Sequence, residues 1–289
     1  GFGMRSRRCG RSRAELMLVT IDVGNTDTKL GYFDLSGGLM GHWRLTTAQR
    51  RTSDEYGVLF QAFFASARLD LADVEAIVIA SVVPQVDWAL YEGCRAYFGR
   101  EPLPFTAGTQ TLLKLRTDRP HELGADLAAG AIGAISVAGF PLVVVNFGTA
   151  TTYTAIGSDG SLLGVAIAPG IQISIDALAT RTAKLPQIAL AAPPSAIGRD
   201  TVAALQSGIM YGAVAQTEGI VARLQAEIGG NVGVIATGGL ADVVARETRT
   251  IERVHPNLVH EGLRLHFEST LAAKTAHAAV AAAHQRHPA

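Results

Sequence analysis

The feature that most constrains this chain is a repeat. Residues 18–31, LVTIDVGNTDTKLG, align with residues 142–155, LVVVNFGTATTYTA, at a constant offset of 124. Leu18 falls on Leu142, Asp22 on Asn146, Gly24 on Gly148 and Thr28 on Thr152. Each copy reads as a β-branched apolar strand, a glycine turn and a second strand, and each runs on through another glycine-containing turn into a third strand. A small sheet of this kind must bury a face against helices. Two copies, each followed by helical stretches, predict a duplicated α/β protein. With 289 residues, 48% of them hydrophobic and 17% charged, the chain has apolar material for two cores.

Periodicity fills in the rest. Residues 17–23, 28–33 and 42–46 are predicted as a three-strand meander. A helix opens at Ser53-Asp54, followed by a strand over 76–81 and a helix over 86–98. The second half is predicted as a helix rich in small residues over 124–137, strands over 141–147, 150–156 and 162–168, and a long helix over 201–228. A strand over 232–236 then turns at Thr237-Gly238-Gly239 into a helix, and an Ala-rich helix over 271–284 closes the chain. The polar segment RTDRPHE, residues 116–122, is the expected boundary. It gives a first domain over 17–117 and a second over 118–289.

Residues 1–16 stand apart. They hold five Arg and one Glu, a local charge of 5 − 1 = +4, and no apolar core follows the basic stretch as a signal peptide requires. They are expected to be a disordered extension, either simply solvated or a short basic arm. The net charge of the whole chain is zero, which argues against nucleic acid as a partner. No apolar run reaches the roughly 18–20 residues of a membrane span, so no membrane partner is expected. Cys9 and Cys94 lack metal-ligand spacing and are too few for a disulfide framework, which points to a reducing compartment, by default the cytoplasm.

The chemistry sits at the glycine turns. In Asp22-Val23-Gly24-Asn25-Thr26, Gly24 allows close backbone approach, successive N–H groups can form an anion-binding nest, and Asn25 and Thr26 add polar groups beside it. Asp22, at the strand end, can hold Mg²⁺ through water. An ordinary hairpin turn is the alternative for one copy. The second copy, Gly148-Thr149-Ala150-Thr151-Thr152, favours a pair of nests addressing the phosphates of a triphosphate. At Thr237-Gly238-Gly239 an adenine or ribose could lie against bare backbone. Asp126, in Gly124-Ala125-Asp126, suits the positive end of a helix dipole.

These segments together resemble type III pantothenate kinase, within the actin-like ATPase (sugar kinase and heat-shock) superfamily. The likeness runs from about Met17 to the last helix. Besides the two hairpins it is carried by Ser81-Val82-Val83-Pro84, Gly124-Ala125-Asp126, Ile167-Ala168-Pro169-Gly170, Leu185-Pro186 and Ile197-Gly198 with Thr201. Ser207-Gly208, Thr237-Gly238-Gly239 and Glu261-Gly262-Leu263 complete it. The resemblance implies two duplicated RNase H-like domains in a homodimer. It implies transfer of a phosphoryl group from ATP to a small-molecule substrate, pantothenate, at the start of coenzyme A synthesis, with Mg²⁺ and a monovalent cation, K⁺ or NH₄⁺. By position, Asp22 and Asn146 fall at the metal sites. Gly24, Asn25, Thr26, Lys29, Gly148, Thr149, Thr151, Thr152 and Gly238 fall on the nucleotide. Asp126 becomes the catalytic base, beside Gly124 in the substrate site, and Thr182 reaches substrate across the dimer.

The chain departs from the family pattern at four places. Asn146 replaces an Asp, Leu127 an Arg, Thr117 a Tyr and Val165 a Gly. Asn146 keeps an acceptor oxygen but loses a charge, so weaker dependence on the monovalent cation is expected. Leu127 and Thr117 alter the acceptor side and leave open a kinase for another alcohol, or a nucleotide-binding paralogue with weak turnover. Arg119 and His121 lie close in sequence and could replace the lost charge, or be plain loop residues.

Overall fold

The computed structural model describes residues 17–34 and 36–285, with side chains to residue 275. The expected extension over 1–16 lies outside the described residues. The chain divides into two compact units. One takes the described residues up to Phe105 together with those from Phe267 on, and the other takes Thr106–His266.

In the first unit, β1 (Met17–Val23) is buried along its whole length, as a strand covered on both faces is, and apolar except at Thr20 and Asp22. β2 (Asp27–Asp34) returns antiparallel to it, and β3 (Leu39–Thr46) alternates between half-buried and exposed, as an outer strand does. α1 (Ser53–Ser66) opens on a reciprocal capping box: Thr52 N–H donates to Glu55 Oε2 at 2.7 Å, and Glu55 N–H donates to Thr52 Oγ1 at 3.3 Å. β4 (Val74–Ser81), α2 (Pro84–Phe98) and β5 (Leu103–Phe105) complete a five-stranded sheet in the order β3-β2-β1-β4-β5. α2 begins at Pro84 and stops at Gly99, whose φ of 64° few other residues accept. Tyr56, Phe60 and Phe64 of α1 and Leu90, Cys94 and Phe98 of α2 fill the core against Ile21 and Ile77.

The second unit repeats the plan. α3 (Ala125–Ala138) precedes β6 (Leu142–Phe147), β7 (Ala150–Ile156) and β8 (Leu162–Pro169). α4 (Ile171–Arg181), α5 (Thr201–Ile228), β9 (Gly233–Thr237), α6 (Ala241–Ala245) and β10 (Arg253–Val254) follow, and α7 (Leu258–Gln285) contributes its residues up to His266. The sheet order, β10-β9-β6-β7-β8, is that of the first sheet with β6 in the place of β1.

Three details differ from the sequence reading. First, the constant offset of 124 does not survive the turn. Gly24 N–H bonds Asp27 O, whereas Gly148 N–H bonds Ala150 O, so the second turn is one residue tighter. Thr28 pairs with Val23, but it is Thr151 that pairs with Phe147, so Thr28 corresponds to Thr151 and Lys29 to Thr152. Second, residues 106–117 and the polar stretch after them belong with the second unit. Arg116 N–H bonds Leu162 O and Leu162 N–H bonds Lys114 O, both at 2.9 Å, and Arg116 pairs with Asp159. Third, the last helix starts at Leu258 rather than 271, because its first turns are buried through Leu258, His260, Leu263 and His266.

That early part of α7 lies very close to α3. A Cβ on Gly133 would run into the Leu258 carbonyl, and one on Gly262 into the Ala129 carbonyl. Backbones this near exclude any side chain, so Gly262→Ala should destabilise the protein by about 1–3 kcal/mol, the usual cost of overpacking. Gly212→Ala, at a site on α5 where a Cβ meets nothing, should be neutral or stabilising by up to ~1 kcal/mol. Urea unfolding of the two variants checks both.

Candidate functional site

Each unit presents its glycine turn at the end of its central strand. In the first, Asp22 is buried, and cross-strand pairing sets it beside Lys29, whose Nζ lies 3.8 Å from Asp22 Oδ2. Asn25 and Thr26 are exposed at the tip. Thr47, which the sequence reading missed, locks the turn. Its Oγ1 donates to Gly24 O at 2.7 Å and lies 2.8 Å from Thr28 Oγ1, and its N–H donates to Thr26 O at 2.9 Å. Thr47 is remote in sequence, and only the β2–β3 register brings it here. Registered neighbours form a row across the sheet: Arg44, Lys29, Asp22, Ala80 and Phe105. Asp22 is the single carboxylate in that row. One such oxygen donor suits Mg²⁺, which keeps most of its waters and takes its remaining ligands from substrate phosphates.

In the second unit glycines let backbone segments pack closely around the turn. A Cβ on Gly170 would collide with the Thr149 carbonyl and lie 2.7 Å from Gly148 O. Gly238, with φ 98°, would put a Cβ 2.5 Å from Phe147 O and 2.6 Å from Asn146 Oδ1. Asn146 is half-buried and pairs across the hairpin with Thr152, while Thr149 is exposed and Thr151 buried. Among the described residues no three His, Cys, Asp or Glu side chains cluster as a metal site. No described helix is long and apolar enough to cross a membrane.

Asp126 stands in the first turn of α3, and its Oδ1 would lie 2.6 Å from a Cβ on Gly124, so the carboxylate folds back over the residue that caps the helix. Gly124 is what makes room for it. Thr182 ends α4, exposed, donating from Oγ1 to Leu178 O at 2.8 Å. Arg119 and His121 are exposed, and Arg119 is already engaged with Glu122 at 3.0 Å. Thr117 Oγ1 is buried without a hydrogen-bond partner. Val165 faces Thr154 across β7–β8.

Comparison with known proteins follows the same outline. Residues 18–223 match the family model of type III pantothenate kinase. The type III pantothenate kinase of Moorella thermoacetica is 45% identical over 252 residues, covering 87% of this chain and 99% of that one. Its counterpart from Anaeromyxobacter sp. (strain K) is 47% identical over 249 residues, 86% of this chain and 98% of the relative. Among solved structures, the activator of 2-hydroxyisocaproyl-CoA dehydratase from Clostridium difficile, with bound ADPNP, superposes with a TM-score of 0.52 at 11% identity, over 90% of this chain and 97% of that one. The (R)-2-hydroxyglutaryl-CoA dehydratase component A of Acidaminococcus fermentans gives 0.50 at 14%, over 86% and 95%. These likenesses show the fold alone.

The positive φ at Gly238 and its contact with Asn146 give a direct test of how tightly the second turn is built. Gly238→Ala should lose about 1–3 kcal/mol of stability through backbone strain. Gly148→Ala, whose Cβ would meet nothing closer than 3.5 Å, should lose less. Thermal and urea melts compare them.

Proposed function

This chain belongs to the type III pantothenate kinase family, and from that premise we propose that it transfers the γ-phosphoryl group of ATP to the primary hydroxyl of pantothenate. The product is 4'-phosphopantothenate, in coenzyme A biosynthesis, and the enzyme works as a cytoplasmic homodimer. The observation that carries the proposal is Asp22, buried beside Lys29 at the Gly24 turn, in a chain that matches its relatives over almost their whole length.

Phosphoryl transfer has a loose transition state, so positioning and charge neutralisation do most of the work. Backbone N–H groups around Gly24 and Gly148, with Asn25, Thr26, Thr149 and Thr151, hold phosphate oxygens, and Lys29 adds a positive charge. The Thr237-Gly238-Gly239 turn offers bare backbone to the adenosine. Asp22 would hold Mg²⁺, which would supply charge neutralisation at the phosphates. Asp126 orients the acceptor hydroxyl and accepts its proton as the new O–P bond forms and ADP departs. Thr182 completes the acceptor site of the partner protomer.

A second reading, a kinase for a different alcohol, is favoured by one observation. Thr117 Oγ1 is buried and unpartnered, a polar group that a substrate other than pantothenate could satisfy. A panel of hydroxy acids and their amides, assayed for ATP consumption, separates the two.

Asp126→Asn should lower turnover with every acceptor by about 100-fold or more, the usual worth of a general base. It should leave intact the rise in melting temperature that MgATP gives the wild type. Near-normal turnover would reduce Asp126 to a helix-dipole residue. Light scattering at assay concentration should give the mass of a dimer; a monomer with full activity would remove Thr182 from the site.

A further inference from the structure

The glycine contacts between α3 and α7 also fix which residues of the two helices stand level. Gly133 meets Leu258, and Gly262 meets Ala129. One turn back along α3 answers one turn on along α7, so the helices run antiparallel. The next turn brings Ala125 level with His266. Helical residues four apart share a face, and burial follows that face. Ala125, Ala129 and Gly133 are buried on α3, and Leu258, Gly262 and His266 on α7. Every one of these is small or apolar except His266, which is 5% exposed. It lies at the end of the seam where α3 begins, and Asp126 is the residue next to Ala125. Helices whose backbones touch stand at the short end of the usual spacing of about 8–10 Å. An imidazole from one and a carboxylate from the other therefore meet at this end of the seam.

A position that served packing alone would take a leucine, because burying a ring nitrogen costs free energy unless it is bonded. Burial pushes the His266 imidazole below its usual pKa, so the ring is neutral near pH 7. The positive end of the α3 dipole favours the same state. A neutral imidazole keeps one N–H to donate. The sequence neighbours of Asp126 offer it little. Leu127 has no polar side-chain atom, Gly124 has no side chain, and Arg119 is engaged with Glu122.

We propose that His266 is the positioning residue for Asp126: one ring N–H donates to the carboxylate and holds it in the orientation that meets the acceptor hydroxyl. A full cation in that place would lower the proton affinity of the carboxylate. A neutral donor orients the base and leaves it more basic, which suits a group that must accept a proton. The inference rests on the reading of Asp126 as the base, and goes further in assigning the residue that holds it.

The test is steady-state kinetics with pantothenate and MgATP. His266→Leu keeps the bulk and loses the N–H. It should lower kcat by about 10–100-fold, as a small misplacement of a reacting group does, and leave the KM for MgATP unchanged. His266→Gln, which restores an N–H donor, should recover most of kcat. In an Asp126→Asn background, His266→Leu should cost nothing further, because the group it positions is already gone. A histidine that only packs gives the reverse: Leu as active as wild type, Gln no better than Leu, and any losses additive in the double variant. That pattern overturns the proposal. Imidazole ¹⁵N spectra read the same contact with residue 266 intact. The His266 signals, assigned by their loss in His266→Gln, should shift on Asp126→Asn, and unmoved signals overturn the proposal even where His266→Leu does not fold. Near-normal turnover in Asp126→Asn alone would overturn the base reading beneath it, and so is distinguishable from failure of the positioning role.

Discussion

β1 and β6 are bonded on both sides, antiparallel to the strand that returns from the glycine turn and parallel to the strand that comes back after the helices. Strands held this way resist slipping, because a shift of one residue would break the hydrogen-bond ladders on both sides at once. Asp22 and Asn146 stand on those strands just before the turns, so their positions are fixed by the most strongly determined pairings in the chain. The neighbours of the two turns are then counted outward from them: Lys29 and Arg44 on one side of Asp22, Thr152 and Thr237 on either side of Asn146.

Much of this was legible in the residues. β1 shows as an apolar run interrupted only by Thr20 and Asp22, and α5 was bounded correctly because Asp200 caps its start, accepting from Ala203 N–H, and Gly229 ends it. The duplication was visible as a repeated strand, turn and strand, and the identical strand orders extend it to the crossover strands. The one-residue slip in the second hairpin was not legible. Thr151, Thr152 and Thr154 stand close together, so an alignment by residue type can slide without penalty, while the backbone pairing cannot. α4 was hidden because Ile171–Arg181 begins where the apolar run of β8 ends, with a single glycine between them. β5 and β10, at three and two residues, are too short to show any period. Asp22 and Gly24 could be picked out because turn chemistry is local. Thr47 could not, since it reaches its place through a strand register that links distant parts of the chain.

The placement of Asp126 depends on a different constraint. The buried face of α3 is made mostly of small residues: Ala128, Ala129, Ala131 and Ala134 are buried, with Gly130 and Gly133 among them and Ile132 the one large side chain. A face so small lets backbones meet, and it is seated by backbone contact with the early turns of α7 at Gly133 and Gly262. Such contact tolerates very little displacement, since a carbonyl meets the space a Cβ would need. The catalytic group proposed for this enzyme projects from the first turn of that helix, where its carboxylate folds over Gly124. Reactions that depend on positioning lose rate steeply with small misplacements. A helix seated by bare backbone therefore suits the base better than one cushioned by flexible side chains. By this reasoning the glycines at 124, 133 and 262 serve the geometry of the reaction as well as the stability of the fold.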